Sequence, residues 1–228
     1  EDDLIYDKIV INNPYGGCYD YNMIGMWQIA DKQNGRIPDG FEYGTYKVED
    51  VNNDGKYTAD KDRKIIGYSD PAYRFSIQNS FRYKNCEFKF MINSVQGGKN
   101  YYYGQPGKDL ANPDNIYQNN LFNFDYWTPE NPNARYRQLG YYTQALGYTF
   151  SPYVQRSFVR LQDVTLSYNV PASFLSQFKV TRLQLYVTGK NLLTFTDWDG
   201  WDPETGTGLN TSKYPVMRSY SIGLNLEF

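Results

Sequence analysis

One stretch of this chain constrains its fold more than any other. From Tyr73 to Tyr83 the odd positions are Tyr73, Phe75, Ile77, Asn79, Phe81 and Tyr83, and the even positions are Arg74, Ser76, Gln78, Ser80 and Arg82. Side chains alternate between the two faces of a β-strand, so this segment has one face almost wholly apolar or aromatic, Asn79 excepted, and one wholly polar face. A strand standing between lipid and water needs that division.

The pattern recurs. Phe88, Phe90 and Ile92 alternate with Glu87, Lys89 and Asn93, with Met91 the exception, and a short turn at Lys84-Asn85 joins this stretch to the first. Val164, Leu166, Tyr168 and Val170 alternate with polar residues. So do Leu183, Leu185, Val187 and Gly189, and then Tyr220, Ile222, Leu224, Leu226 and Phe228. Leu4 to Ile11 is a weaker sixth candidate. The composition agrees: aromatic residues are 18% of the chain, with 24 Tyr and 13 Phe, yet the mean hydropathy is −0.70. Many half-buried strands, each with a wet face, reconcile these values.

The connections alternate between short and long. Lys84-Asn85 and Pro171 to Thr181 are short, and the latter can form one helical turn with Pro171 near its start. Residues 12–72, 97–155 and 196–216 are long. Outer-membrane barrels have short periplasmic turns and long extracellular loops. The expected fold is therefore all-β: an antiparallel transmembrane β-barrel, of which this chain supplies an open C-terminal segment of about five or six strands. About eight strands are the minimum for closure, so either several copies assemble a barrel or, the favoured reading, more strands precede Glu1. The expected lipid-facing residues are Phe75, Ile77, Phe81, Phe88, Phe90, Leu166, Leu185, Val187, Ile222, Leu224 and Phe228. A membrane would separate Cys18 from Cys86, so no disulfide is expected between them.

Several function classes recede. There is no His, which removes the usual general base and the commonest zinc ligand. The net charge is −2 without clustered Lys and Arg, so no nucleic-acid partner is expected. No catalytic constellation is visible, and the expectation is that the chain is not an enzyme.

Two motifs invite a ligand. In DVNNDGKYTADKDR, Asp50, Asn52 and Asp54 stand at positions 1, 3 and 5 of an EF-hand-like loop, Gly55 at the tight turn, and Lys56 offers a carbonyl at position 7. Lys61 replaces the closing Glu, so Asp60 or Asp62 would have to complete a calcium shell. An Asx-rich turn that binds nothing fits the same residues. Trp198, Trp201 and Asp202 in the last long loop, and Tyr101 and Tyr102 earlier, are candidate contacts for a substrate or a lid protein. Packing within the loop for the first group, and an aromatic belt for the tyrosines, is the favoured reading of the same residues. A soluble carbohydrate-binding β-protein, with its site at Trp198–Glu204, is the alternative to the barrel.

Seven segments in order resemble the SusC/RagA class of TonB-dependent outer-membrane transporters of Bacteroidetes. They are IGMWQIAD (24–31), DVNNDGKYTADKDRKIIG (50–67), DPAYRFSIQNSFRYKNCEFKFMINSVQGGK (70–99), YWTPENPNAR (126–135), SFVRLQDVTLSYNVP (157–171), LQLYVTGKNLLTFTDWDGWDPE (183–204) and YPVMRSYSIGLNLEF (214–228). The resemblance implies a plugged barrel of about 22 strands, integral to the bacterial outer membrane. It implies uptake of glycans or peptides with a SusD-like lipoprotein, and coupling to TonB through an N-terminal part not present here. Phe228 resembles the family's C-terminal assembly signature.

Overall fold

The computed structural model describes residues 9–101, 125–138, 146, 153–198, 202–205 and 216–228. Eleven strands are present among them: β1 (Gly17–Tyr21), β2 (Met23–Met26), β3 (Tyr46–Val48), β4 (Arg63–Tyr68), β5 (Pro71–Tyr83), β6 (Cys86–Gly97), β7 (Lys99–Tyr101), β8 (Tyr153–Gln155), β9 (Phe158–Asn169), β10 (Arg182–Thr196) and β11 (Ser219–Glu227). Helix α1 (Ile29–Gln33) and helix α2 (Ala172–Leu175), the latter followed by a 3-10 turn at Ser176–Phe178, are short. No described helix is long and apolar enough to cross a membrane. The chain divides into two compact units. One comprises Glu1–Asp70, Gly98–Val154 and Gly208–Asn210, and the other Pro71–Gly97, Gln155–Thr207 and Thr211–Phe228.

The second unit is built on a five-stranded antiparallel sheet in the order β11-β10-β9-β6-β5. The five stronger alternating segments fall in these strands, with only Val170 and Phe228 just past the ends of β9 and β11. The register sets the faces in line: Phe81 lies opposite Phe88, Phe88 opposite Leu166, Leu166 opposite Val187, and Val187 opposite Ile222. Because partners across a ladder share a face, one apolar surface runs unbroken across all five strands. Lys84 takes a left-handed conformation (φ 52°) in the tight β5–β6 turn. The short β9–β10 connection forms α2 with Pro171 as its N-cap, as the sequence implies.

β9 and β10 extend further than their alternation suggests. Register shifts interrupt the ladders between Met91 and Ile92, where β9 carries Gln162 as an extra residue, and between Lys190 and Leu193 on β10. Asn191 has φ 54° at the second irregularity, a conformation that Asn tolerates better than most residues. Past these bulges the alternation resumes in a new phase, with Arg160 opposite Asn93 and Thr194.

The first unit shows that residues 12–72 are more than a connection. β1 pairs with β4, and β2 with β3. Tyr21, Trp27, Phe41, Tyr46, Val48 and Leu146 form a buried cluster, with Phe41 meeting Trp27 and Tyr57 edge-on at ring separations of 6.2 and 4.8 Å. Trp127, from the second long connection, is buried in the same unit and donates from Nε1 to Gln28 Oε1 at 3.1 Å. Gly44 makes room for it: φ is +73°, and a Cβ there would lie 2.5 Å from the indole. Of the weak strand candidate, only its last residues, from Ile9, lie within the described chain, and Ile9 forms a single bridge.

Candidate functional site

The apolar face of the five-stranded sheet is the largest chemical feature of the second unit. Ile77, Leu166, Val187 and Leu224 are 51%, 53%, 49% and 59% exposed, and Ile222 reaches 85%. Phe75, Phe81, Phe88 and Leu185 are exposed beside them, while Phe90 is half-buried between Phe81 and Phe88, at ring separations of 6.2 and 5.9 Å. Phe228, just beyond β11, is 85% exposed. A soluble protein rarely leaves so large a contiguous apolar patch in water. Every residue expected to face lipid lies on this surface or, for Phe228, directly after it.

The opposite face is polar and internally bonded. The Glu87 carboxylate accepts from Ser80 Oγ (2.9 Å) and Arg82 Nε (2.8 Å), and Lys89 Nζ lies 3.1 Å from its second oxygen. Ser76 donates to Asn93, the Thr165 and Thr188 hydroxyls are 3.0 Å apart, and Asn225 donates to Gln184. The Tyr186 ring lies over Gly223, where a Cβ would come within 2.4 Å of the phenol. Charged side chains lie on this face and none on the other, which matches the water side and the lipid side of a barrel wall.

At the long-connection end of this sheet the loop after β10 is clamped. Arg160 Nη2 donates to Asp202 Oδ1 and Nη1 to Glu204 Oε2, each at 2.6 Å, while Nε donates to Thr194 Oγ1 at 3.0 Å. The guanidinium also sits 4.8 Å from the Phe158 ring centre. The Arg160 and Asp202 side chains are only 4% and 1% exposed. Arg156 adds bonds to the carbonyls of Pro203 (3.0 Å) and Glu204 (2.6 Å). Arg160 escaped the sequence reading because the bulge at Gln162 hides the phase of its strand.

This arrangement corrects the reading of two loop residues. Trp198 is 4% exposed and Asp202 1%, so neither presents a surface to a substrate or lid protein. Asp202 is committed to an ion pair and Trp198 is buried within the fold, which is the packing alternative. Tyr102, Trp201 and the side chain of Tyr101 lie outside the described residues.

The Asp-rich loop folds tightly on its own amides. Asp50 accepts from the amides of Asp54 (3.3 Å) and Gly55 (2.8 Å), Asn52 from Asp54 (3.2 Å), and Asp54 from Lys56 (2.8 Å). The Asn52 amide bond holds the exposed Asp54 carboxyl below its usual range, helped by the Lys56 amide. Asp62 is fully buried and accepts from Thr58 (2.7 Å) and Val51 (3.0 Å), while Asp60 is exposed. Among the described residues no three His, Cys, Asp or Glu side chains form a group able to hold a metal ion. The described geometry is that of an amide-bonded turn. Nearby, burial pushes the Tyr46 phenol up to about 12.

Comparison with known proteins agrees with this geometry. No family model matches the chain. TonB-dependent receptor P3 of Formosa agariphila is 31% identical over 93% of this chain and 22% of its own length. TonB-dependent receptor SusC of Bacteroides thetaiotaomicron is 27% identical over 78% of this chain and 17% of its own. The chain thus spans about a fifth of the curated relatives it matches. Among solved structures, the RagAB peptide transporter superposes with a TM-score of 0.60 at 21% identity, over 96% of this chain and 23% of that one. The RagAB peptide importer in its open-open state gives 0.62 at 20% identity, over 96% of this chain and 24% of that one. The chain is thus similar to a stretch of the TonB-dependent receptors, SusC among them, and shares its fold with part of the RagAB transporter.

Proposed function

We propose that this chain forms part of the wall and the extracellular loops of a TonB-dependent importer integral to a bacterial outer membrane, taking up glycans or peptides together with a SusD-like lipoprotein. The observation that carries the proposal is the unbroken apolar row from Phe81 on β5 to Ile222 on β11, backed by a hydrogen-bonded polar face. In this reading the apolar face meets lipid and the polar face lines the lumen. The tight turns at Lys84-Asn85 and Pro171–Thr181 lie on the periplasmic side, and the long connections lie outside the cell. The outer edges of β5 and β11 then pair with further strands, since backbone groups left unpaired in lipid cost several kcal/mol each. The names of the relatives support TonB coupling, and RagAB, named as a peptide importer, supports an oligomeric substrate.

Deletion of the gene for the full-length receptor tests the proposal. Uptake of labelled oligosaccharides or of labelled peptides should fall and return on complementation. Unchanged uptake of both classes would contradict an importer.

A further inference from the structure

The clamp at the end of the sheet lies on a definite side. Arg160 occupies the same face as Asn93 and Thr194, its register partners, and Asn93 is bonded to Ser76 on the polar face of β5. Asp202 and Glu204 meet Arg160 there. The segment Asp202–Thr205 therefore folds over the polar face of the sheet at its long-connection end, away from the apolar face. The turn is also closed on itself, with Asp202 accepting from the Glu204 amide (3.2 Å) and the Thr205 hydroxyl (3.2 Å).

We infer that Asp202–Thr205 is a strap that narrows the outer mouth of the lumen, with Arg160 as the positioning residue that holds it there. The inference rests on the reading of the polar face as the lumen. The charges of the strap are largely matched: two carboxylates face Arg160, and Arg156 binds the adjacent carbonyls. A neutralised strap selects by size rather than by charge, so it admits slender chains and delays bulky or branched oligomers. Arg160 holds the strap firmly because it is buried and bonded on three sides. Removing one member of such a pair leaves the other charge stranded.

The test uses the full-length receptor in outer membranes, with Asn93→Cys as a reporter beneath the strap. The same receptor without that substitution supplies the background from Cys18 and Cys86. A small water-soluble maleimide should label the reporter readily, and a polymer-bearing maleimide slowly. Arg160→Met leaves the Asp202 and Glu204 carboxylates without their partner, and should raise the rate of the polymer reagent by about tenfold and leave the small reagent unchanged. Arg156→Gln removes the two carbonyl bonds and one charge near Asp202 but leaves the Arg160 ion pairs, and should give a smaller gain, so it serves if Arg160→Met fails to assemble. Equal rates for the two reagents with the strap intact, or no gain in either variant, would overturn the inference. If only a lipid-soluble maleimide reaches Asn93→Cys, the lumen reading itself has failed, and the inference with it.

Discussion

Substituting Arg along β11 separates the two faces of the wall. At roughly 3.3 Å per residue and a tilt near 40°, a nine-residue strand rises about 23 Å, close to the apolar band of an outer-membrane barrel. Ile222 and Leu224 flank the middle of that rise, 85% and 59% exposed. Arg at the midplane of such a face costs about 2–4 kcal/mol, a factor of roughly 30 to 900 in the folded-to-unfolded ratio. Ser221 and Asn225 are one residue away but pair with Thr188 and Gln184 on the polar face. Arg there should cost less than about 1 kcal/mol, as at an ordinary wet surface. The assay is urea titration of the full-length receptor folded in phospholipid vesicles, with the folded fraction read from heat-modifiable migration in gels. Ile222→Arg and Leu224→Arg should lower the midpoint clearly, and Ser221→Arg and Asn225→Arg should scarcely move it. Equal losses at Leu224 and Asn225, or a larger loss at Asn225, would refute the face assignment.

Three further outcomes follow from the first unit. Asp62→Ala leaves the amides of Val51 and Thr58 without their acceptor, which at about 1–3 kcal/mol per stranded group should loosen the 50–63 turn, seen as faster hydrogen exchange there. Gly44→Ala places a methyl group against the Trp127 indole in a left-handed backbone position, and should cost more than about 1 kcal/mol, with a red shift of the indole fluorescence. Tyr46 titrates near 12 in the fold against 10.0 when free, so the unfolded chain loses its proton first as the pH rises. Stability from this group is full below pH 10 and lost between pH 10 and about 12, by at most about 3 kcal/mol, and Tyr46→Phe should remove that part of the alkaline transition.

Much of the wall was legible in the sequence because a strand between lipid and water repeats its chemistry every second residue. β5 and β11 follow their alternation almost end to end, and β6 does so only as far as Asn93, with Met91 the exception. β9 and β10 do not, because the extra residues at Gln162 and at Asn191-Leu192 change the phase of the pattern. That change conceals Arg160, whose place on the polar face is fixed only by its register with Asn93 and Thr194. The strands of the first unit were illegible for a different reason. β1 is buried on both faces and β3 is three residues long, so neither offers an alternation to read. The loop aromatics carried no directional signal at all. For Trp198 packing was the favoured reading over ligand contact, and its burial agrees with packing.

The central claim is that one face of this sheet touches lipid. Spin labels placed singly from Ser219 to Glu227 in the full-length receptor, reconstituted in phospholipid bilayers, test it directly through their accessibility to oxygen and to a water-soluble nickel complex. Lipid contact on one face gives a period of two: oxygen dominant at Tyr220, Ile222, Leu224 and Leu226, and nickel at Ser221, Gly223 and Asn225. Accessibility without that period, or with its phase reversed, would contradict it.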